Sequence, residues 1–306
     1  MVAPVAGVRS KTNVDCSSGL RVVEGRPNRR IAIETPPLEY DLAGSRVTVA
    51  VRDPALLADV ARLFRSYAVH PAAPRAPDAR RVDVRTQGGG YVIEGPAGAP
   101  VVCRTRLEAI EGCEWVLTTL LLAALAHHVH VHAAGLVRHD RAALIPGEAG
   151  TGKSSLAFAW SRRGHPVLGD DVVVLDASGR AGAVRRFLKL DPRALAAAGV
   201  APEDTPFWAP GSAEAWYEPE GAAAWADPTP VGLLVLPTFA RDAEVHVRPR
   251  SRREGLNALL TSVLRSGRSP AEAFDRLFEI ARSAETVALT FGAAADAVRA
   301  LEDLLA

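Results

Sequence analysis

The chain has 306 residues, of which 48% are hydrophobic, so it can build one large α/β domain or two smaller ones and is not disordered throughout. Its 36 basic and 35 acidic side chains leave a net charge of +1, so the charge gives no reason to expect nucleic acid or a membrane surface as partner. The cysteines Cys16, Cys103 and Cys113 have no disulfide or zinc spacing, and the longest apolar run is shorter than the roughly 20 residues that span a bilayer. Because the N-terminus also lacks a signal pattern, we expect a cytoplasmic protein.

The N-terminal part, residues 1–105, predicts a small α+β module. Residues 1 to about 40 mix Pro, Gly, Ser and Arg without periodicity and indicate an arm or irregular strands, and a Pro- and Ala-rich link occupies 71–78. Further elements are a strand at 46–51, a helix beginning at Pro54, and a hairpin of 81–85 and 91–94 across the glycines 88–90. We expect this module to recognise an acceptor or to form contacts between subunits.

Residues 106–306 predict a larger α/β domain. An apolar helix at 106–126 comes first, and His127 begins an alternating segment. Further strands are predicted at 141–146, 167–176, 183–190, 231–237, 243–247 and 286–290, and further helices from Ser155 and at 253–264, 271–284 and 293–305. The chain shows no internal repeat.

Residues 147–154 read Gly-Glu-Ala-Gly-Thr-Gly-Lys-Ser, which is a complete Walker A motif between a predicted strand and a predicted helix. Its glycines allow backbone N–H groups to turn onto phosphates at the positive end of the following helix. We expect Lys153 to reach the β- and γ-phosphates of ATP and Ser154 to be a ligand of the Mg²⁺ that bridges them. The predicted nucleotide-binding residues are Gly147, Glu148, Ala149, Gly150, Thr151, Gly152, Lys153, Ser154 and Ser155.

Two adjacent aspartates, Asp170 and Asp171, interrupt the apolar segment 167–176. Two ionised carboxylates in a buried strand cost roughly several kcal/mol unless a cation is near, and burial beside a like charge raises the pKa of one of them. A raised pKa suits a general base that accepts the proton of an acceptor hydroxyl. The alternative is that both aspartates cap a turn after Gly169.

Other polar and aromatic groups carry weaker indications. His130 and His132 would share a strand face and could chelate a metal, but they lack a cysteine or carboxylate at ligand spacing. Two cationic groups could contact phosphate or be solvated surface: Arg185, Arg186 and Lys189, and Arg248, Arg250, Arg252 and Arg253. Four aromatic residues in the stretch 201–230 indicate either an acceptor lid or plugs that hold a loop: Trp208, Trp216, Tyr217 and Trp225.

Three segments together carry a family resemblance: His132-Ala-Ala-Gly135, the Walker A loop, and Arg163-Gly-His-Pro-Val-Leu-Gly-Asp-Asp171. They resemble the catalytic core of HPr kinase/phosphorylase and of the HPr kinase-like serine kinases of bacterial biosynthetic clusters, which include tailoring kinases of lasso peptides. The resemblance covers about residues 128–176. It implies an α/β P-loop kinase core with a mixed sheet, similar also to ATP-dependent phosphoenolpyruvate carboxykinase.

The resemblance also implies roles. Lys153 and Ser154 would bind the triphosphate and Mg²⁺, Asp170 would take the acceptor proton, Asp171 would assist the metal, and His132 would lie near the transferring phosphoryl group. The two aspartates could exchange roles. Where the bifunctional enzymes commonly carry a glutamate, this chain has Ser155, which argues against the reverse, phosphate-consuming reaction.

The sequence therefore predicts a Mg²⁺- and ATP-dependent kinase that phosphorylates a serine or threonine hydroxyl of a peptide or small protein, without a nucleic-acid or membrane partner. Two alternatives stay open. One is a kinase of a small-molecule alcohol or amino acid, and the other is a nucleotide-binding ATPase that transfers no phosphoryl group to an acceptor. A homo-oligomer is a further expectation, since related kinases assemble as oligomers.

Overall fold

The computed structural model describes residues 21–22, 36–69, 79–96, 98–221, 224–266 and 269–306. Cys16, most of the predicted N-terminal arm and the predicted link at 71–78 lie outside these residues. No described helix combines the length and the hydropathy that a bilayer crossing needs.

The first part of the described chain forms a six-stranded sheet with two helices. In chain order the elements are β1 (Arg21–Val22), β2 (Leu38–Leu42), β3 (Ser45–Val51), α1 (Pro54–Leu63), β4 (Arg80–Gln87), β5 (Gly90–Glu94), β6 (Val101–Cys103) and α2 (Arg106–Ala124). The strand order is β1-β6-β5-β4-β3-β2. The predicted strand at 46–51 is confirmed as β3, and the predicted hairpin is confirmed as β4 and β5.

Local sequence explains how the two helices begin. The Asp53 carboxylate accepts hydrogen bonds from the N–H groups of Ala55 and Leu56, and Pro54 supplies the first helical position of α1. The Thr105 hydroxyl caps α2 by accepting from the Glu108 N–H. Both predicted helix starts are therefore confirmed.

Helix α2 packs on the first sheet and also contacts the second half of the chain. Its buried side chains, such as Cys113 and Leu117, share one hydrophobic core with residues of the first sheet and with Val174, Phe187 and Trp216. This core includes residues from both sides of position 105. The shared core does not test the predicted division into two domains at that position, which stays a prediction.

The second part contains the remaining elements. In chain order they are β7 (Val129–Val131), β8 (Ala133–Arg138), β9 (Arg141–Pro146), α3 (Lys153–Arg162), β10 (Val167–Gly169), β11 (Val173–Leu175), β12 (Arg180–Ala183), β13 (Leu188–Leu190), α4 (Pro192–Ala197), β14 (Ala215–Tyr217), β15 (Thr229–Phe239), β16 (His246–Pro249), α5 (Arg252–Thr261), β17 (Val263–Ser266), α6 (Pro270–Ser283), β18 (Glu285–Phe291) and α7 (Ala294–Leu304). Strands β13 and β14 pair with each other. The other strands form one ten-stranded sheet.

The centre of the large sheet is the long strand β15, which runs parallel to β9 and to β18. Strands β8, β10 and β16 extend this centre with antiparallel pairs. The sheet is therefore mixed, as predicted, and the α/β class is confirmed. Because parallel strands end at the same edge, Pro146, Pro237 and Phe291 approach one another beside the start of α3, and this edge holds the candidate site.

The expectation of one continuous strand over 167–176 is wrong. Strand β10 ends at Gly169 and pairs with β8, whereas β11 begins at Val173 and pairs with β7 and β12. The aspartate pair lies in the bend between them, where Gly169 has a φ of +137°. Neighbouring residues of a strand point to opposite faces, so the bend is what allows both carboxylates to lie near Arg186.

Two other predicted elements need correction. The extended segment 183–190 is interrupted, because β12 ends at Ala183 and β13 begins only at Leu188. The helix predicted at 253–264 ends at Thr261, and the chain then forms the edge strand β17 beside β7. Pairing with β7 is a tertiary effect that the helical pattern of the segment does not contain.

Candidate active site

The Walker A segment connects β9 to α3 through a loop whose backbone conformation requires glycine. Gly150 and Gly152 have φ values of +82° and +97°, in the left-handed region that side chains rarely adopt. Gly152 is also the N-cap of α3, and a Cβ atom there would lie 2.5 Å from Cζ of the fully buried Phe291. Position 152 therefore requires glycine for two independent reasons, its positive φ and the lack of space for a Cβ atom.

Gly152→Ala is expected to destabilise the protein by about 2 kcal/mol, because the new methyl group combines an unfavourable φ with a clash against a buried ring. Urea unfolding followed by circular dichroism measures this change. Gly164→Ala is the matched control, because Gly164 also has a positive φ of +82° but open space around its Cα. Equal losses in the two variants would contradict the clash with Phe291.

Lys153 points its ammonium group back into the loop. Its Nζ donates to the carbonyl oxygens of Gly147 and Glu148, both at 2.8 Å, and the residue is buried. Burial lowers the pKa of Lys153, and the nearby Asp171, Asp170 and Glu148 oppose this effect. The ammonium thus lies at the N-terminal end of α3, where the helix dipole and the loop N–H groups attract anions.

The other predicted nucleotide-binding residues lie around this lysine. Glu148, Ala149 and Gly150 are exposed at the outer part of the loop, and Thr151 donates from its hydroxyl to the Glu148 carbonyl at 2.9 Å. Ser154 and Ser155 lie in the first turn of α3 and are half-buried. The Walker A residues therefore surround one end of this helix.

Asp170 is almost fully buried, with 2% of its surface exposed. Its Oδ2 accepts from the Lys189 backbone N–H at 3.0 Å, and its Oδ1 makes no hydrogen bond of good geometry with any described residue. Burial raises the pKa of Asp170 to about 6, the Asp171 charge adds to this rise, and Arg186, the Lys189 N–H and the nearby Ser154 hydroxyl oppose it. A buried carboxyl group with one free oxygen is the arrangement that a general base needs.

Asp171 has the opposite electrostatic character. Its Oδ2 accepts from Arg186 Nη2, and its Oδ1 lies 2.8 Å from His132 Nδ1. Burial alone would raise the pKa of Asp171, but Arg186 and then His132 outweigh burial and hold this pKa well below its usual range. The two adjacent acids therefore differ, since one binds a proton near pH 6 and the other stays ionised.

Helix α2 contributes an acid that sequence reasoning missed. The buried Glu114 accepts from Arg186 Nη1 at 2.7 Å, from Lys189 Nζ at 3.1 Å and from the Thr118 hydroxyl at 3.0 Å. Burial would raise the pKa of Glu114, but Arg186 and Lys189 outweigh it and lower this pKa. The only signal in the sequence is a glutamate directly before the apolar run that begins at Trp115, where a buried acid calls for a cationic partner.

Of the first predicted cationic group, which is Arg185, Arg186 and Lys189, only two members lie at the site. Arg186 and Lys189 bind carboxylates there, whereas the half-exposed Arg185 lies 3.3 Å from the exposed Asp227. The second group lies on β16, on the first turn of α5 and between these elements, where Arg250 pairs with Glu254 at 3.5 Å. None of the described contacts connects this second group to the Walker A loop.

The histidines do not converge on a metal site. His130 is buried, and its Nε2 lies 3.0 Å from the Leu125 carbonyl oxygen, while His132 faces Asp171. Among the described residues, no three His, Cys, Asp or Glu side chains are grouped as a metal site. His132 therefore lies beside the aspartate pair, as a partner of Asp171.

The aromatic residues of 201–230 belong largely to the core. Trp216 is buried, with Phe207 at its edge and Lys189 Nζ 4.5 Å from its ring centroid. Tyr217 packs edge-on against Phe158 of α3. These contacts fix the stretch to α3 and to β13, as the prediction of aromatic plugs describes.

No protein family model matches this sequence, and none of the curated proteins matches it. Among solved structures, the HPr(Ser) kinase/phosphatase from Coxiella burnetii is similar, with 16% sequence identity and a TM-score of 0.29. The match covers 57% of this chain and 96% of that one. A likeness of this degree does not define an activity, which has to follow from the residues of the site.

Proposed function

We propose that this protein is a kinase that transfers the γ-phosphoryl group of ATP to a serine or threonine hydroxyl of a peptide or small protein. The observation that carries the proposal is Asp170, a buried carboxyl group with a free oxygen and a pKa of about 6, close to Lys153 and Ser154 of a Walker A segment. A phosphate site next to such an acid suits phosphoryl transfer to a hydroxyl.

The residues present fit a nucleotide phosphate group. The start of α3, the left-handed glycines before it and the buried Lys153 together form a small cationic cradle. Lys153 Nζ would exchange the Gly147 and Glu148 carbonyl oxygens, its present partners, for phosphate oxygens. The cradle therefore suits the phosphates of the proposed nucleotide, ATP.

The proposed ligands of Mg²⁺ are Ser154 and Asp171. Both carboxylate oxygens of Asp171 have protein partners, but His132 Nδ1 also lies 3.0 Å from the Asp171 carbonyl oxygen. His132 could therefore release Oδ1 and keep a hydrogen bond to the same residue. When bound, Mg²⁺ neutralises charge on the β- and γ-phosphates.

In the proposed reaction, Asp170 Oδ1 accepts the proton of the acceptor hydroxyl as that oxygen bonds to the γ-phosphorus. The bond from phosphorus to the bridging oxygen breaks, and ADP leaves with the electron pair. Lys153 stabilises negative charge on the phosphate oxygens, and Arg186 keeps Asp171 ionised beside them. The proton on Asp170 then passes to solvent.

The test is incubation with ATP and Mg²⁺ against three acceptor sets: serine- and threonine-containing peptides, free amino acids and alcohols, and water alone. The proposal expects a mass increase of about 80 Da on peptides. Transfer only to free amino acids or alcohols would indicate the small-molecule kinase instead. ADP release without any labelled acceptor would indicate an ATPase.

The rate should depend on the ionisation of Asp170. Because a general base must be unprotonated and the pKa of Asp170 is about 6, we expect kcat/KM to rise about tenfold per pH unit below pH 6 and to level off above it. Initial rates between pH 4.5 and about 8.5 at fixed ionic strength measure this profile. A flat profile across pH 6 would contradict Asp170 as the base.

A further inference from the structure

The partners of the two aspartates meet at one carboxylate, that of Glu114 on helix α2. Its Oε1 binds Arg186, which binds Asp171, and its Oε2 binds Lys189, whose backbone N–H binds Asp170. Each aspartate is thus linked to the same glutamate through one intermediate residue. Helix α2 packs on the first sheet, so the link reaches the site from outside the Walker A strands and loop.

We propose that Glu114 is a positioning residue, which holds Arg186 and Lys189 in place and thereby sets the positions of the Asp170 and Asp171 carboxylates. The expected effect on rate rests on the proposed kinase function. The placement of the two aspartates does not.

Burial gives this link its strength. Glu114 and Arg186 are only 4% and 6% exposed, so neither charge can exchange its partner for water. Along the link, two acids alternate with two cations as Asp171, Arg186, Glu114 and Lys189, so the two buried charges, Arg186 and Glu114, each have partners of opposite charge. Thr118 adds a third donor to Glu114, and the Trp216 ring covers Lys189 Nζ, so both ends of the Glu114–Lys189 pair are held.

A charge at this position is difficult to explain by stability alone. Replacing a buried ion pair by apolar side chains of similar volume is often neutral or stabilising. Glu114 lies on the buried side of α2, between Cys113 and Leu117, which are both fully buried. An apolar residue at 114 would fit this surface, and the requirement for a carboxylate comes from Arg186 and Lys189.

The test is Glu114→Gln, which keeps the size of the side chain but offers only one acceptor oxygen. We expect kcat to fall about 10- to 100-fold while KM for ATP changes less than about threefold, because the acids move and the phosphate cradle does not. The second readout needs no activity. The Lys189 amide proton, which binds Asp170, should exchange with solvent at least about tenfold faster, as measured by NMR on the full chain.

Glu302→Gln is the matched control. Glu302 is also a largely buried carboxylate that joins two nitrogen-bearing side chains, Arg163 at 2.8 Å and the His165 ring at 2.7 Å, but it lies on α7. It should lose stability without changing kcat or the Lys189 exchange rate. An equal fall of kcat in both variants would show general destabilisation and overturn the proposal, as would a folded Glu114→Gln protein with unchanged Lys189 exchange.

If Glu114→Gln does not fold, the double variant Glu114→Gln/Lys189→Met replaces it, because it removes one charge of each sign. It is compared with Lys189→Met, and the same losses in kcat and in amide protection at position 189 are expected. Equal kcat values and equal amide exchange rates at position 189 in the two variants would overturn the proposal. Absence of transfer by the wild-type protein to every acceptor would refute the kinase function, and the exchange measurement would still decide the positioning role.

Discussion

Asp170→Asn is expected to lower kcat for phosphoryl transfer by about 10³-fold, because it removes the only proposed proton acceptor. Affinity for ATP should change little, since Asp170 touches the segment 186–189 and the Ser154 region and not the Lys153 ammonium directly. Steady-state kinetics with an acceptor that the wild-type protein phosphorylates, together with equilibrium binding of ATP, separate the two effects. A loss of ATP binding of similar size would instead indicate a metal or structural role.

The controls for Asp170→Asn use stability as well as activity. Asp275→Asn, at an exposed position of α6, should retain wild-type kcat. The pKa of Asp170 rises from 3.8 to about 6 on folding, so ionisation of this group opposes folding as the pH rises through this range. The free energy of unfolding of Asp170→Asn, relative to that of the wild type, should therefore increase by on the order of 2 kcal/mol from pH 4 to pH 7.

Asp171→Asn should act in the opposite direction. The pKa of Asp171 is lowered on folding, so its ionised form stabilises the protein above the unfolded pKa, and this contribution is lost as the pH falls through the folded value. At pH 7 the free energy of unfolding of the variant should be about 1–2 kcal/mol lower than that of the wild type. The loss is no larger because the carboxylate is partly exposed to solvent. Urea unfolding at several pH values measures both variants. Shifts of the same sign would contradict the contrast between the two acids.

Lys153→Met should lower kcat/KM for ATP by about 10³-fold, because it keeps most of the buried stem and removes the charge that we propose binds the phosphates. The Gly147 and Glu148 carbonyl oxygens would also lose their donor, so the loop should become less ordered. Affinity for ATP and kcat should both fall in Lys153→Met, whereas only kcat should fall in Asp170→Asn. Equilibrium binding and initial rates measure the two quantities.

Arg162→Met is the control for this substitution. Arg162 is a cation of the same helix, exposed in its last turn and distant from the loop. Its removal should cost only a few tenths of a kcal/mol in stability, with kcat/KM unchanged. A comparable loss of kcat/KM in this variant would show that net charge on α3, and not the position of Lys153, governs ATP binding.

Most regular elements near the site could be predicted because their signals are contiguous. The strand before the Walker A segment, the helix after it and the buried strand β15 all follow from local apolar patterns and from glycine placement. The bend after Gly169 could not be predicted in this way. The segment 167–176 is β-branched on both sides of the aspartates, and its two halves separate because they pair with different strands.

By itself, the sequence determined the Walker A residues, the neighbouring acids Asp170 and Asp171, and the α/β class. These features depend on residue types at short spacing, whereas the mixed sheet was expected only from the family resemblance. Only the tertiary structure decided that Asp170 has the raised pKa, that Arg186 and His132 hold Asp171 ionised, and that Glu114 joins the partners of both acids. The physical reason is that the pKa and the position of a buried charge depend on burial and on neighbours brought from distant parts of the chain.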